Sequence, residues 1–371
     1  MTYEESVRAL MALGRELASP QQARVQKFGL ANITTLAEAL GNPQRAAPCV
    51  HIAGTNGKGS TAAMLESILR TAGFRTGLYT SPHLERINER IRIDGEDISD
   101  DQFAAAWTRV HSVIESLLAR GTLAAHPTYF ECITALAFVA FAVERVNFAI
   151  YEVGLGGRLD ATNIVMPEVG VITSIDFDHE NFLGYSISEI AGEKAGIIKP
   201  GAWVVSSAER FEAREVISRR CREQRAQLVE VDAAWRVEYQ SASDGRYRAV
   251  AVSPDSKKKF TLEPSLAGDF RFAMRSQPRR RRAFSRSADF LLATTRSSAA
   301  YALRGGPDVS NASTNAPPYI STARTTPQAR KSCSSSGGRI FPDAAFCSCM
   351  ALCETKRLTR LQDCSFLPQI S

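Results

Sequence analysis

Short apolar runs alternate with amphipathic stretches along the first 270 residues of the chain. Short apolar runs bounded by glycine or polar residues predict buried strands, and apolar positions three and four apart predict helices. The predicted strands are 50–53, 75–80, 148–153, 169–175, 203–207, 228–231, 235–239, 247–252 and 260–262. The predicted helices are 3–13, 34–40, 58–72, 100–118, 129–143, 187–197 and 213–225. This alternation predicts an α/β fold with a doubly wound, mostly parallel sheet, a short added β segment, and ligands at the carboxyl ends of the strands.

A glycine-punctuated turn joins the strand at 50–53 to the helix at 58–72 and is typical of a phosphate-binding loop (P-loop). Glycines allow successive N–H groups to point at one anion, and the helix N-terminus adds the positive end of its dipole. Only two residues separate Gly54 from Gly57, which departs from the common spacing, so a plain glycine-rich turn with a solvated Lys58 is the alternative. The candidate nucleotide-binding residues are Gly54, Thr55, Asn56, Gly57, Lys58, Gly59, Ser60 and Thr61.

Three polar residues stand where other predicted strands end. Ser81 follows strand 75–80, Glu152 lies at the end of strand 148–153, and His179 follows strand 169–175. Because parallel strands end at one edge of the sheet, these groups are expected to converge on the glycine-rich turn. They are candidate ligands of the magnesium that accompanies a nucleoside triphosphate, although magnesium prefers oxygen to imidazole. The structural alternatives are that Glu152 caps a turn, that Asp160 is a helix N-cap, and that His179 is an ordinary histidine.

Six motifs occur in an order that resembles the folylpolyglutamate synthase/dihydrofolate synthase family of the Mur ligase superfamily. The motifs are GTNGKGS at 54–60, TSPHL at 80–84, YFE at 129–131, EVGLGGRLDATN at 152–163, DH at 178–179 and EKAGIIK at 193–199. The resemblance covers about residues 3–269. It implies an ATP-dependent ligase that activates a substrate carboxylate as an acyl phosphate, which the amine of L-glutamate then attacks. The substrate would be dihydropteroate, a reduced folate such as tetrahydrofolate, or both.

The resemblance also implies roles for individual residues. Residues 57–60, which include Lys58, would hold the ATP phosphates. Ser81 and Glu152 would bind one magnesium ion, and His179 would bind a second. Lys194 matches a lysine that is carbamylated in this family, and with Lys58 and His179 it completes the candidate catalytic set. The residues implied to line the pterin-bearing substrate are Thr128, Tyr129, Phe130, Glu131, Leu159, Asp160 and Ala161.

Charge and composition change at about residue 270. Residues 271–371 carry 16 Lys and Arg and five Asp and Glu, a net of +11, whereas the rest of the chain carries a net of −5. This segment contains an arginine cluster at 279–282, low-complexity Ser, Thr, Pro and Ala, and five of the eight cysteines. A disordered nucleic-acid-binding arm and a cysteine metal site are alternatives, but a frameshifted, disordered tail is the favoured interpretation, so nucleic-acid binding is not expected.

The predicted organisation is therefore an ATP-binding domain at 1–270 and a basic tail at 271–371. Family members continue with a second, Rossmann-like domain that this sequence lacks, so impaired activity is expected. A Mur-type peptide ligase and a non-catalytic ATP-binding remnant remain the alternative functions. No apolar run reaches the roughly 20 residues needed to span a bilayer, and no signal peptide is evident. A cytoplasmic, monomeric protein is expected.

Overall fold

The computed structural model describes residues 1–14, 29–231, 236–241, 247–252 and 259–262. Within these residues one sheet contains eight strands, in the spatial order β4-β3-β2-β5-β1-β6-β7-β8. The strands are β1 (Cys49–Ala53), β2 (Thr76–Tyr79), β3 (Ile91–Ile93), β4 (Glu96–Asp97), β5 (Phe148–Glu152), β6 (Val169–Ile172), β7 (Trp203–Ser206) and β8 (Gln227–Glu230). The five strands β2, β5, β1, β6 and β7 pair in parallel, whereas β3 and β4 are antiparallel. The predicted mostly parallel sheet is confirmed.

The helices that alternate with these strands are α1 (Tyr3–Ala12), α2 (Ala31–Ala39), α3 (Lys58–Thr71), α4 (Asp100–Ala119), α5 (Tyr129–Val143), α6 (Glu180–Leu183), α7 (Ile187–Ala195) and α8 (Phe211–Glu223). Single 3₁₀ turns lie at Pro43–Arg45, Ile87–Arg90 and Ala161–Ile164. Four of the helices begin with a capping box, in which a Ser or Thr and an acidic or amide residue three positions later bind each other's backbone N–H. The N-caps are Thr2, Ser99, Thr128 and Ser186.

Two features of the sheet differ from the prediction. The hairpin of β3 and β4 was missed, although its turn residues Asp94 and Gly95 both have the positive φ that such a tight turn requires. Strand β6 ends at Ile172 rather than at residue 175, because the Ser174 carbonyl accepts a hydrogen bond from Thr55 N across to the glycine-rich turn. The chain therefore leaves the sheet early and fastens this turn.

Helix α5 is the most deeply buried helix of the fold. It is apolar on nearly every face and contacts α1, α2 and α4, and its side chains belong to a large apolar core with Trp107 and Tyr151. A second core surrounds α7 and α8 and includes Ile190 and Val204. Of the described helices, none has both the length and the apolar character that crossing a membrane requires.

The chain divides after Leu228, and a three-stranded antiparallel sheet belongs to the second unit. Its strands are β9 (Arg236–Ser241), β10 (Tyr247–Val252) and β11 (Lys259–Leu262), in the order β11-β10-β9. These correspond to the predicted strands 235–239, 247–252 and 260–262. The predicted tail at 271–371, with its arginine cluster and five cysteines, lies outside the described residues.

Candidate functional site

The glycine-rich turn between β1 and α3 has a backbone that only glycine fits. Gly54 has φ +150°, and a Cβ there would lie 1.7 Å from the Thr173 hydroxyl oxygen, far inside contact distance. Gly57 is the N-cap of α3 in the left-handed conformation, with φ +85°. The first turn of α3, at Lys58, Gly59 and Ser60, presents N–H groups that have no acceptor within the helix. The turn thus has the backbone geometry of helix N-termini that bind anions.

Hydrogen bonds fasten this turn to the segment that follows β6. The amide of Thr55 donates to the Ser174 carbonyl oxygen at 2.7 Å, and the Thr55 hydroxyl donates to the Asp176 carbonyl oxygen at 3.0 Å. Asn56 N donates to the Ser174 hydroxyl oxygen at 3.3 Å. Thr55 and Asn56 therefore fix the shape of the loop through their backbone and side chain. Farther along, Ser60 is partly exposed and Thr61 is buried in α3.

Two lysines share one acceptor at the loop. Lys58 Nζ donates to the Gly54 carbonyl oxygen at 3.1 Å, and Lys194 Nζ donates to the same oxygen at 2.9 Å. Lys194 is almost fully buried, with 2% of its surface exposed. Burial, followed by repulsion from Lys58, lowers the pKa of Lys194 to about 7, and Asp178 opposes this shift. At neutral pH the Lys194 amine is therefore uncharged in a large fraction of the molecules.

Glu152 is a buried carboxylate beside the same loop. Its Oε2 accepts a hydrogen bond from Ser81 N at 3.1 Å, and a Cβ at Gly59 would contact the same oxygen at 3.4 Å. Burial raises the pKa of Glu152 to about 7, although Lys58 and the Ser81 amide lower it. The carboxylate thus lies close to Lys58 and to the start of α3. The structure thus brings Lys58, Ser81 and Glu152 together, and their roles as ligands stay predictions.

His179 occupies a different position from the other predicted ligands. It precedes α6 with φ +46°, and its ring lies 3.5 Å from the Asp178 carboxylate with about half of its side chain exposed. Within the described residues it has no hydrogen bond to Ser81 or Glu152. The link to the loop is indirect, because the neighbouring Asp178 acts electrostatically on Lys194.

Comparisons with known proteins identify the family of this chain. The family model described as the Mur ligase middle domain matches residues 52–271. A solved folylpolyglutamate synthase in complex with AMPPCP and folate superimposes with a TM-score of 0.67 at 32% identity, over 82% of this chain and 68% of that one. The chain belongs to the folylpolyglutamate synthase/dihydrofolate synthase family of Mur ligases.

Other members of this family are also similar to this chain, over different shares of their length. The dihydrofolate synthase/folylpolyglutamate synthase of Bacillus subtilis is 47% identical over 192 residues, which is 52% of this chain and 44% of that protein. The folylpolyglutamate synthase of Mycobacterium tuberculosis in complex with ADP has a TM-score of 0.65 at 31% identity, over 81% of this chain and 62% of that one. The chain thus spans less than half the length of the Bacillus relative.

Two of the predicted substrate residues, Thr128 and Glu131, form the capping box at the start of α5, and we call this segment the 128–131 cap. The Thr128 hydroxyl accepts from Glu131 N at 3.2 Å, and the Glu131 carboxylate accepts from Thr128 N at 2.8 Å. Tyr129 is buried, with the Arg90 guanidinium 5.6 Å from its ring centroid. Phe130 packs against Gly154, where a Cβ would lie 2.5 Å from the Phe130 ring. The 128–131 segment is therefore held rigidly next to the turn that follows β5.

Asp160 is also engaged inside the protein, as the structural alternative for this residue anticipated. One carboxylate oxygen accepts from the amide and hydroxyl of Thr162, and the other accepts from Leu155 N at 2.9 Å. Asp160 is thus the N-cap of the 3₁₀ turn Ala161–Ile164. Ala161 is buried in the core and Leu159 is partly exposed. That these residues contact the substrate stays a prediction.

Arg90 is a site residue that the sequence did not reveal. It is a buried cation whose Nε donates to His83 Nδ1 at 2.7 Å, and its charge lowers the pKa of Glu152. A single arginine at the end of a 3₁₀ turn belongs to no motif that could be recognised in the sequence. Its position follows only from the pairing of β3 with β2, which brings residue 90 beside the end of the parallel strands.

Proposed function

We propose that this chain descends from, and carries the nucleotide-binding half of, an ATP-dependent ligase that adds L-glutamate to dihydropteroate or tetrahydrofolate. The observation that carries the proposal is the convergence of Lys58, Lys194 and Glu152 on the loop at Gly54. Folylpolyglutamate synthases with AMPPCP, ADP and folate bound are among the related structures. Because the chain covers less than half of its Bacillus relative, the ligase activity itself belongs to this proposal.

Lys58 and the first turn of α3 would bind the ATP phosphates. The N–H groups of Gly59 and Ser60 are unpaired within the helix, and Lys58 Nζ already lies at the loop through its bond to Gly54. The substrate carboxylate and the γ-phosphate are both anions, so the chain must offset their repulsion before the phosphoryl group transfers. Lys58 supplies one of the positive charges. The resulting acyl phosphate would be attacked by the amine of L-glutamate, without a side-chain nucleophile.

Ser81 and Glu152 fit the binding of magnesium. Their hydroxyl and carboxylate are the oxygen donors that this ion prefers, and a buried carboxylate whose pKa is about 7 without a metal ion is favoured as an anion by a nearby divalent cation. His179 with Asp178 would contribute to a second magnesium site. Magnesium, when bound, would offset the charge on the transferring phosphoryl group.

Lys194 fits carbamylation for a physical reason. Carbon dioxide reacts with a neutral amine, and burial beside Lys58 lowers the pKa of Lys194 to about 7. The carbamate is an anion, so the modification would remove the repulsion between the two lysines. The modified side chain would then contribute a negative charge near Asp178 and the second metal site.

The substrate would lie against the 128–131 cap and the 159–161 turn. Both segments are held by hydrogen bonds that are partly or fully buried, so Phe130 and Leu159 would present fixed apolar surfaces to a pterin ring. A cytoplasmic location and a monomeric state stay predictions.

The proposal is tested with the full chain in two separate assays. Equilibrium binding of a fluorescent ATP analogue measures the phosphate loop, and incorporation of labelled L-glutamate into dihydropteroate or tetrahydrofolate measures ligation. A UDP-muramoyl acceptor tests the Mur-type peptide ligase alternative. Lys58→Met removes the loop cation, and Arg45→Met removes an exposed cation outside the site as the matched control.

We expect magnesium-dependent nucleotide binding that Lys58→Met weakens at least tenfold and that Arg45→Met leaves unchanged. Glutamate incorporation with a pteroate or folate acceptor would support the full ligase reaction. Binding without incorporation would support the non-catalytic ATP-binding alternative and overturn the ligase proposal for this chain. Absence of nucleotide binding in the folded protein would overturn both.

A further inference from the structure

Two histidines and a glutamate form a cluster in α4 and the segment after it. One ligand atom each from His111, Glu115 and His126 lies within 4.8 Å of the others. His111 and Glu115 are four residues apart in α4, so they project from the same face of the helix on successive turns. His126 comes from the connection between α4 and α5, and it approaches this face from outside the helix. The cluster plays no part in the proposed ligase reaction.

The ring of His126 is oriented for metal binding. Its Nδ1 lies 2.8 Å from the Pro127 carbonyl oxygen. A carbonyl oxygen can only accept a hydrogen bond, so Nδ1 carries the proton and the lone pair of the neutral ring is on Nε2. A backbone carbonyl that fixes the tautomer of a histidine in this way is the usual outer partner of a metal-ligating imidazole.

The ring of His111 is also held in place. It stacks on the buried Trp107, with ring centroids 5.5 Å apart and an interplanar angle of 23°. His111 Nδ1 is buried and has no hydrogen-bond partner among the described residues. Its ring is therefore oriented by packing and is not committed to a protein partner at that nitrogen. Glu115 is exposed and free to turn toward the two rings.

We propose that His111, Glu115 and His126 bind a divalent transition-metal ion of the zinc type. Two imidazoles and one carboxylate, with a water in the fourth position, form a recurrent tetrahedral zinc set. Zinc–ligand distances of about 2.0–2.2 Å place ligand atoms roughly 3.3 Å apart, so small side-chain rotations bring this cluster to bonding geometry. The imidazoles select zinc over magnesium, which takes oxygen ligands.

Bound zinc would fasten the connection between α4 and α5. That connection runs from residue 120 to Thr128, the N-cap of α5 and the first residue of the predicted substrate-lining segment. A metal that joins α4 to His126 would hold Pro127 and Thr128 in position. The inference is independent of ATP binding, so its failure leaves the proposed function untouched.

The test uses the full chain, freed of metal with a chelator and then titrated with zinc in competition with a chromophoric chelator. His126→Asn and Glu115→Gln each remove one ligand without a large change in volume. Asp101→Asn, an exposed carboxylate on the same helix, is the matched control. Far-UV circular dichroism checks that each variant is folded. Because the chain has eight cysteines, cobalt is used as a second probe, since thiolate ligands give an intense near-ultraviolet charge-transfer band that nitrogen and oxygen ligands lack.

We expect the wild type and Asp101→Asn to bind zinc at one site that magnesium in excess does not displace. His126→Asn and Glu115→Gln should weaken this site by roughly tenfold or more. The cobalt d–d bands of the site should appear without a thiolate band and should vanish in both variants. Equal zinc affinity in the wild type and both variants, or a cobalt spectrum that neither substitution changes, would overturn the proposal.

Discussion

The ammonium groups of Lys58 and Lys194 donate to the same acceptor, the carbonyl oxygen of Gly54, at 3.1 and 2.9 Å. One neutral oxygen cannot compensate two adjacent cations in a buried site. Burial, and after it the repulsion from Lys58, lowers the pKa of Lys194 to about 7. The glycine-rich turn thus places a lysine whose pKa is near neutrality beside Lys58.

This lowered pKa makes stability depend on pH above neutrality. Between about pH 7 and 10.5 the unfolded chain binds a proton on Lys194 that the folded chain does not, so the free energy of unfolding rises with pH there. The maximal slope from one group is about 1.4 kcal/mol per pH unit. We expect the free energy of unfolding of the wild type to increase relative to that of Lys194→Met from pH 7 to 9. Urea unfolding in a carbonate-free buffer that contains a chelator measures this difference.

Lys58→Met provides the control for this interpretation. It removes the repulsion from Lys58 but not the burial, so the rise in stability should begin at a higher pH than in the wild type. A constant difference between wild type and Lys194→Met across this pH range would show that Lys194 does not titrate there.

Glu152 makes the opposite contribution below neutrality. Its pKa is raised to about 7, so between pH 4.5 and 7 the folded chain holds a proton that the unfolded chain has lost, and stability falls as pH rises. In metal-free protein at pH 8, Glu152→Gln should be at least as stable as wild type, because it removes a buried charge. With magnesium and nucleotide, the same variant should lose the stabilisation that wild type gains.

Thermal unfolding of both proteins, with and without magnesium and an ATP analogue, checks this prediction. Glu38→Gln, at an exposed position in α2, should behave as wild type in every condition. A Glu152→Gln variant that keeps the full magnesium-dependent shift would exclude Glu152 from the proposed magnesium site.

The sequence predicted the elements that local chemistry determines. Helix α5 occupies the predicted 129–143, where the structure adds a capping box of Thr128 and Glu131, and β10 occupies the predicted 247–252. The glycine-rich turn was found because Gly54 and Gly57 adopt conformations that require glycine. These features depend on residues close together in the chain.

The relationships that no local pattern encodes were missed. Lys194 and Gly54 are 140 residues apart, so their hydrogen bond depends on how α7 packs beside β1 and β6. Arg90 reaches the site because an antiparallel strand pairs with β2. The family resemblance supplied the predicted role of Lys194, whereas its burial and the carbonyl oxygen that it shares with Lys58 were found only in the structure.

Gly54 should be the least replaceable glycine of the loop. In Gly54→Ala the new Cβ would overlap the Thr173 side chain at 1.7 Å, and φ of +150° is unfavourable for alanine. We expect a loss of about 2 kcal/mol or more in the free energy of unfolding and at least a tenfold loss in nucleotide affinity. Gly192→Ala, in α7 with open space around the position, should be neutral or stabilising. Equal effects of the two substitutions would contradict this account of the loop.

Asp160 joins the turn at Leu155 to the 3₁₀ turn at Thr162. Its substitution should therefore lower the free energy of unfolding, whatever its effect on catalysis. In Asp160→Asn a single amide oxygen replaces two acceptors, and the amide N–H₂ must face either Leu155 N or the donors of Thr162. Leaving a buried donor without an acceptor costs about 1–3 kcal/mol. The matched control is Asp97→Asn, which breaks an exposed pair with Arg92 and should cost about 1 kcal/mol or less. Urea unfolding of both variants measures the difference. An Asp160→Asn protein as stable as wild type but with weakened pteroate or folate binding would instead place this carboxylate in direct contact with the substrate.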